Sequence, residues 1–467
     1  MINLQNSNNT YISKNGKRRI FKPSLFVLVS FIPVCVLYYF LRFQFNFDRE
    51  ILGIYLLLQG LIAFLVFYTF TKENAGNFRL NVIDQLVLIV FCHSIYLLAF
   101  TLVRSPGIDS LLYSLKDYIF PVLIYWYCRR FRSKLEWVGI FKLIAFVMTI
   151  VSVVYIAEFY ERIVLGNPPF AYTEKVRALT MDITSSDTLT GTVIKGDIYT
   201  LIRFEGPLSH NNVTGLAMAI GVLLSFVLAR ELKNNIFILT AMINFAGLLF
   251  AGPRTAMFAM AVSGAVYLWS VKKEIHGARE NRFAKFVALT VAVLMLMSVF
   301  YFIDFSAYDQ IYNIDSMFNT LISLLSANRE FGDLTVLFRN PINWLGSGFP
   351  VPGDWTTAFN VVRSDDLFFI QLISMYGLIG GGVLFSGILQ VLKQLIVDMR
   401  RPSEENRLVY QLGLVVVIAM LVSTVHTNAL IRPQLFPLFY ISLAAMSAYL
   451  DGHLMDSRKE NSCLTKI

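Results

Sequence analysis

Residues 82–103 read VIDQLVLIVFCHSIYLLAFTLV. Wound as an α-helix at about 1.5 Å per residue, this stretch is roughly 33 Å long. A bilayer's hydrocarbon core is about 30 Å thick, so the run is long enough to cross one. Asp84 is its one fully charged residue at neutral pH, and it sits near one end. Runs of the same kind recur on both sides of it. They cover 24–41, 51–70, 111–128, 137–157, 212–230, 235–251, 255–271, 286–304, 377–396, 408–425 and 434–450, which makes twelve spans in all. The run at 111–128 is the least regular, because Lys116 and Asp117 enter it. The whole chain is 56% hydrophobic and 15% charged, against roughly 25% charged residues in soluble domains. These features predict an all-α, polytopic membrane protein with both ends on the same side.

The formal net charge of +9 would suit a nucleic-acid partner if it were clustered in one domain. It is instead sorted by side. The short loops on the side of the termini are basic, as in Arg129-Arg130-Phe131-Arg132-Ser133-Lys134, Lys272-Lys273 and Arg400-Arg401. The opposite side is mildly acidic. That asymmetry is the positive-inside pattern, so the basic side is expected to be cytoplasmic and no nucleic-acid partner is expected. The basic loops need no ligand, since orientation alone accounts for them.

Residues 1–23 form a polar tail ending in Lys14, Lys17, Arg18, Arg19 and Lys22. The run at 24–41 has no small-residue cleavage site behind it and reads as an uncleaved first span. Cys35, Cys92, Cys128 and Cys463 form no C-x-x-C or Cys/His pattern and read as small apolar fillers. The expected organisation is a cytoplasmic tail (1–23), five spans (24–157), an outer loop (158–211), four spans (212–304) and a larger outer loop (305–365). A broken helix with three spans (366–450) and a cytoplasmic tail (451–467) complete it. Long polar loops between spans usually carry function.

The segment 366–396 would be about 46 Å long as one helix, well beyond the hydrocarbon core. Gly377, Gly380, Gly381 and Gly382 lie near its middle. It is expected to form a short helix at 366–376, a bend, and then a span. Non-helical backbone at that depth survives only where protein or water covers it, so a break points to a cavity.

Four groups of residues on the outer face carry candidate chemistry. The first is Arg203-Phe204-Glu205-Gly206-Pro207-Leu208-Ser209-His210-Asn211-Asn212, at the entry to the sixth span. The second is Gly252-Pro253-Arg254-Thr255-Ala256, a tight turn between spans. The third runs from Arg329 through Asn340-Pro341 to Leu345-Gly346-Ser347-Gly348, and the fourth is Ser364-Asp365-Asp366-Leu367. A single boundary arginine snorkels to headgroups without further meaning. Several on one face suit an anionic group, because the guanidinium fork matches phosphate and stays charged. Asp365 and Asp366 are also good caps for the helix they precede. Two adjacent carboxylates are too few for a metal site, so no metal and no cofactor are expected.

These four groups, in this order and on one face, resemble the bacterial O-antigen ligase and polymerase superfamily. The pattern is R-x-x-G-x-x-x-H-x-N, a short G-x-R turn, R…P-x-x-x-L-G-x-G, and a polar residue before a broken G-x-x-G helix. It spans roughly 203–396. The resemblance implies a GT-C-like membrane glycosyltransferase in a bacterial inner membrane, with its active face periplasmic. Its donor would be an undecaprenyl-diphosphate-linked oligosaccharide, its surroundings membrane lipids, and a chain-length regulator a further partner. Arg203, Arg254 and Arg329 would hold the donor diphosphate. His210 and Asn212 match the entry motif. Ligases of the family usually carry a histidine where this chain has Asp365-Asp366, which favours a polysaccharide polymerase over a ligase.

The residues themselves give an order of candidates for the base that takes the acceptor's proton: Asp366 or Asp365, then His210, then Glu205. Asn212, His426 and Arg432 are candidates to line the same cavity, although His426 and Arg432 also fit an ordinary polar loop. Trp344, Trp355, Tyr308 and Tyr312 fit an interfacial belt or a sugar-stacking surface. His93 and Asp84 lie inside an apolar span, where polar groups are costly and often functional; for Asp84 an interfacial position serves as well. A transporter or flippase of lipid-linked sugars is the reading from another class. It would predict internal repeats and groups at the bilayer midplane, and the sequence has no evident repeat.

Overall fold

A computed structural model of the chain describes residues 80–104, 107–163, 207–208, 211–251, 254–272, 368–398, 407–423 and 435–464. It also describes isolated positions: Val27, Leu57, Gly60, Leu61, Phe64, Leu65, Tyr68, Trp344, Gly346 and Gly348. The expected spans 24–41 and 51–70, apart from those positions, and 286–304 lie outside this set. Among the described residues the fold is all helical, in nine helices. They are α1 (Val82–Arg104), α2, α3 (Trp137–Ile163), α4 (Asn211–Leu232), α5 (Ile236–Ala251), α6 (Arg254–Lys272), α7 (Phe368–Asp398), α8 (Arg407–Ser423) and α9 (Phe436–Leu464). Helix α2 runs from Ile108–Ser114 through a π-helical turn, Leu115–Ile119, into Phe120–Arg130.

Among the described residues, three helical segments are long and apolar enough to cross a membrane: Val82–Val103, Trp137–Ala157 and Asn212–Leu232. Shorter apolar helices cover Ile236–Ala251, Thr255–Leu268, Met375–Val391, Arg407–Ser423 and Phe436–Leu450. The run at 111–128, the weakest of the expected spans because Lys116 and Asp117 enter it, holds a π-helical turn at Leu115–Ile119 that was not anticipated. Pro121 follows the π turn and offers no N–H to the helix. The wider turn accommodates its ring without ending the helix.

Helix α4 is the hub, packed against α3, α5, α6 and α8. Its small residues explain the fit. A Cβ on Gly221 would lie 2.5 Å from Asn244 Oδ1 and 2.8 Å from Met148 Cβ, so neither α3 nor α5 could approach as closely past a side chain. Apolar burial gives little drive between helices in lipid, and close packing with interhelical hydrogen bonds takes over. Asn244 of α5 supplies such bonds to α3. Its Oδ1 accepts from Ser152 Oγ at 2.7 Å, and its Nδ2 donates to Thr149 Oγ1 and to the Thr240 carbonyl, each at 2.8 Å. Thr240 Oγ1 donates to Ser225 Oγ of α4 at 3.0 Å.

Side-chain contacts fix how the helices alternate. Asp84 at the start of α1 meets Arg129 at the end of α2 and Ser447, about three turns into α9. Trp137 at the start of α3 donates to the Arg132 carbonyl just past α2. Arg230 near the end of α4 meets Tyr267 near the end of α6, and Tyr410 at the start of α8 packs on Tyr449 of α9. One end of the bundle, here called the basic end, therefore gathers the start of α1, the end of α2, the start of α3, the ends of α4 and α6, and the start of α8. The opposite end holds the close of α1 and the first turns of α4, α6 and α9.

Candidate functional site

The break expected near Gly377 is present. Gly377 adopts φ 73° and ψ 172° inside α7, a backbone region that is essentially glycine-only. A helical bond from one carbonyl to the amide four residues on needs the three intervening residues to be helical. Gly377 therefore takes the Tyr376 carbonyl out of the ladder. Two contacts cover the break. The first is Gly346, at φ 98°. A Cβ there would fall 2.8 Å from the Tyr376 carbonyl carbon and 2.9 Å from the Gly377 nitrogen, so only a glycine lets this backbone sit against that one. The second is His93 of α1. Its Nε2 lies 3.2 Å from the Tyr376 carbonyl, and its ring stacks on Tyr376 with centroids 5.2 Å apart.

Gly348 seats the same segment on α1: at φ 86° it lies where a Cβ would be 2.7 Å from Thr101 Oγ1. Thr101 Oγ1 itself donates to the Leu97 carbonyl one turn back. Trp344, two residues before Gly346, is 42% exposed. The third sequence group thus meets the break in α7 through Gly346 and, through Gly348, reaches the last turn of α1, at the end opposite the basic one. Asn212 is half-buried in the first turn of α4 at this end, beside a fully buried Leu208. Arg254 is the first residue of α6, also at this end; its side chain is not among the described ones. Arg203, Glu205, His210, Arg329, Asp365, Asp366, His426 and Arg432 lie outside the described residues.

A second polar cluster was not anticipated as a unit. Asp84 is fully buried and accepts five hydrogen bonds. Arg129 Nε donates at 2.8 Å and Nη2 at 2.9 Å, Tyr125 Oη at 2.5 Å, Ser447 Oγ at 3.2 Å and the Asn81 amide at 2.9 Å. Asn81 Oδ1 in turn accepts from the Asp84 amide at 2.9 Å, which closes a reciprocal cap on α1. The reading of Arg129 as one of several loop charges is thereby corrected. Its guanidinium is buried in an ion pair, because the antiparallel approach of α1 and α2 sets it against the carboxylate. Next to it, burial first and the Arg129 charge second push the Arg132 guanidinium below its usual pKa, and Asp84 opposes them.

The two clusters have different chemistry. Asp84 and Arg129 form a two-pronged ion pair and, with Ser447, hold α1, α2 and α9 together at the basic end. The break at Gly377 sets irregular backbone against an imidazole half-way along α1, and Gly348 lies against Thr101 near the close of that helix. No family model matches the sequence, and no curated protein matches it.

Proposed function

We propose that this chain polymerises a surface polysaccharide, such as an O-antigen, capsule or exopolysaccharide, at the outer face of a bacterial inner membrane. The donor is a glycan on undecaprenyl diphosphate and the acceptor is another lipid-linked repeat unit. The observation that carries this reading is the Gly346–Gly348 segment seated on the Gly377 break of α7. Through Gly348 at Thr101 it reaches the end of the bundle that holds the first turns of α4 and α6, with Asn212 and Arg254. Irregular backbone inside a span survives only where protein covers it or it lines a cavity, and that supports a substrate cavity beside the break.

In this mechanism the acceptor hydroxyl attacks the anomeric carbon of the donor sugar. The bond from that carbon to the diphosphate oxygen breaks as the new glycosidic bond forms, and the diphosphate leaves on its lipid. Negative charge grows on the leaving oxygen, and Arg203, Arg254 and Arg329 stabilise it. Asp366 or Asp365 takes the hydroxyl proton, with His210 and then Glu205 as the next candidates. Deleting the chain and resolving surface glycans on a gel tests the proposal. Loss of every chain longer than one repeat is expected. Normal long chains left on the carrier lipid would make the chain a ligase, and loss of surface glycan of every length, single repeats included, with lipid-linked units held at the inner leaflet would make it a transporter.

A further inference from the structure

We infer that His93 is a positioning residue that locks the broken helix α7 and the Gly346–Gly348 segment into one arrangement. The lock is a matter of geometry. The Tyr376 carbonyl has lost its helical partner at Gly377, and a carbonyl can only accept. His93 Nε2, 3.2 Å away, is therefore the protonated nitrogen and donates to it. The ring is fixed from three further directions. Tyr376 stacks on one side at 5.2 Å with planes 23° apart, and Tyr96 stands at 5.6 Å. Gly380, one turn below the break, makes room for it: a Cβ there would fall 2.5 Å from Nε2 and 2.7 Å from Cε1.

Sequence and structure agree on why the site needs these residues. A helix break next to a membrane span leaves a polar carbonyl where water is scarce, and a buried acceptor without a donor is destabilising. An imidazole on the neighbouring helix supplies the donor from outside α7, so the angle between the two halves of α7 depends on α1. Gly348 rests on the same helix about two turns further on, at Thr101. His93 and Thr101 thus hold both sides of the break from one rigid element. The link from this lock to glycan transfer rests on the function proposed above; the lock itself does not.

Two variants and two readouts separate these claims. His93→Leu removes the donor and keeps an apolar side chain; His93→Gln keeps an N–H at similar reach. Amide hydrogen exchange on the full chain in lipid nanodiscs reads the lock directly. His93→Leu is expected to speed exchange at 346–348 and 376–380 about five- to tenfold, the factor that one net hydrogen bond represents, and His93→Gln is expected to restore most of the protection. Unchanged exchange in His93→Leu, or equal loosening in both variants, overturns the inference. In cells, His93→Leu is expected to shorten the surface glycan and His93→Gln to recover its length. Looser exchange with unaltered glycan would uphold the lock and count against the polymerase reading.

Discussion

Asp84 and Arg129 are the residues where physical chemistry leaves least freedom. Both side chains are fully excluded from solvent, and a buried charge without its partner is strongly destabilising. Arg129→Leu leaves the carboxylate facing only Tyr125, Ser447 and Asn81. It is expected to cost about 3–5 kcal/mol, the usual range for breaking a buried pair from one side. Asp84→Asn combined with Arg129→Leu removes both charges and should recover most of that loss. Thermal unfolding of the four proteins in detergent checks this; losses that merely add would mean the pair is not coupled. The sequence did display both residues, one near the start of an apolar run and one at the end of the next. They are 45 positions apart, and a positive residue beside a span is ordinarily an orientation signal. Only the antiparallel approach of α1 and α2 turns that signal into an ion pair. His93 was visible as a polar residue inside a span, but its partner is a backbone carbonyl, which no side-chain pattern reveals.

At the scale of elements, α7 decides most. The expectation of a short helix, a bend and a span over 366–396 came from a length too great for one membrane crossing and from glycines at the right depth. The structure places the break at Gly377 within Phe368–Asp398. The other glycines do different work, and that division was not legible. Gly380 yields to the His93 ring, whereas Gly382 faces open space. The docking of Gly346 and Gly348 was equally hidden, because it joins a loop to a helix end and leaves no periodic trace. Gly377→Ala forces a Cβ into a glycine-only conformation and is expected to destabilise the chain by about 1–3 kcal/mol. Helix α7 can relieve that strain by straightening, which would carry Tyr376 away from His93 and Gly346. Gly382→Ala is the matched control and should leave stability unchanged. Unfolding midpoints of the two variants decide the point, and equal midpoints would show that the break is not strained.

For the whole molecule, what remains is which end faces which compartment. The basic end carries Arg130, Arg132 and Lys134 at and just past the end of α2, Arg230 and Lys233 at and just past the end of α4, and Arg407 at the start of α8. Translocating such charges is disfavoured during insertion, so this end is expected in the cytoplasm and the close of α1, with Gly348 against it, on the other side. Two exposed positions report on it. Gly107 precedes α2 at the far end, and Glu136 precedes α3 at the basic end. With the four native cysteines replaced by alanine, Gly107→Cys should react with a membrane-impermeant maleimide in intact cells. Glu136→Cys should react only after the membrane is opened. The opposite pattern would turn Gly348, Asn212 and Arg254 toward the cytoplasm. A glycan on a carrier lipid presented at the outer leaflet could not reach them there, and the polymerase proposal would fall even though every helix stayed where it is. Labelling of both positions in intact cells would remove the premise beneath it, that the helices between them cross a membrane at all.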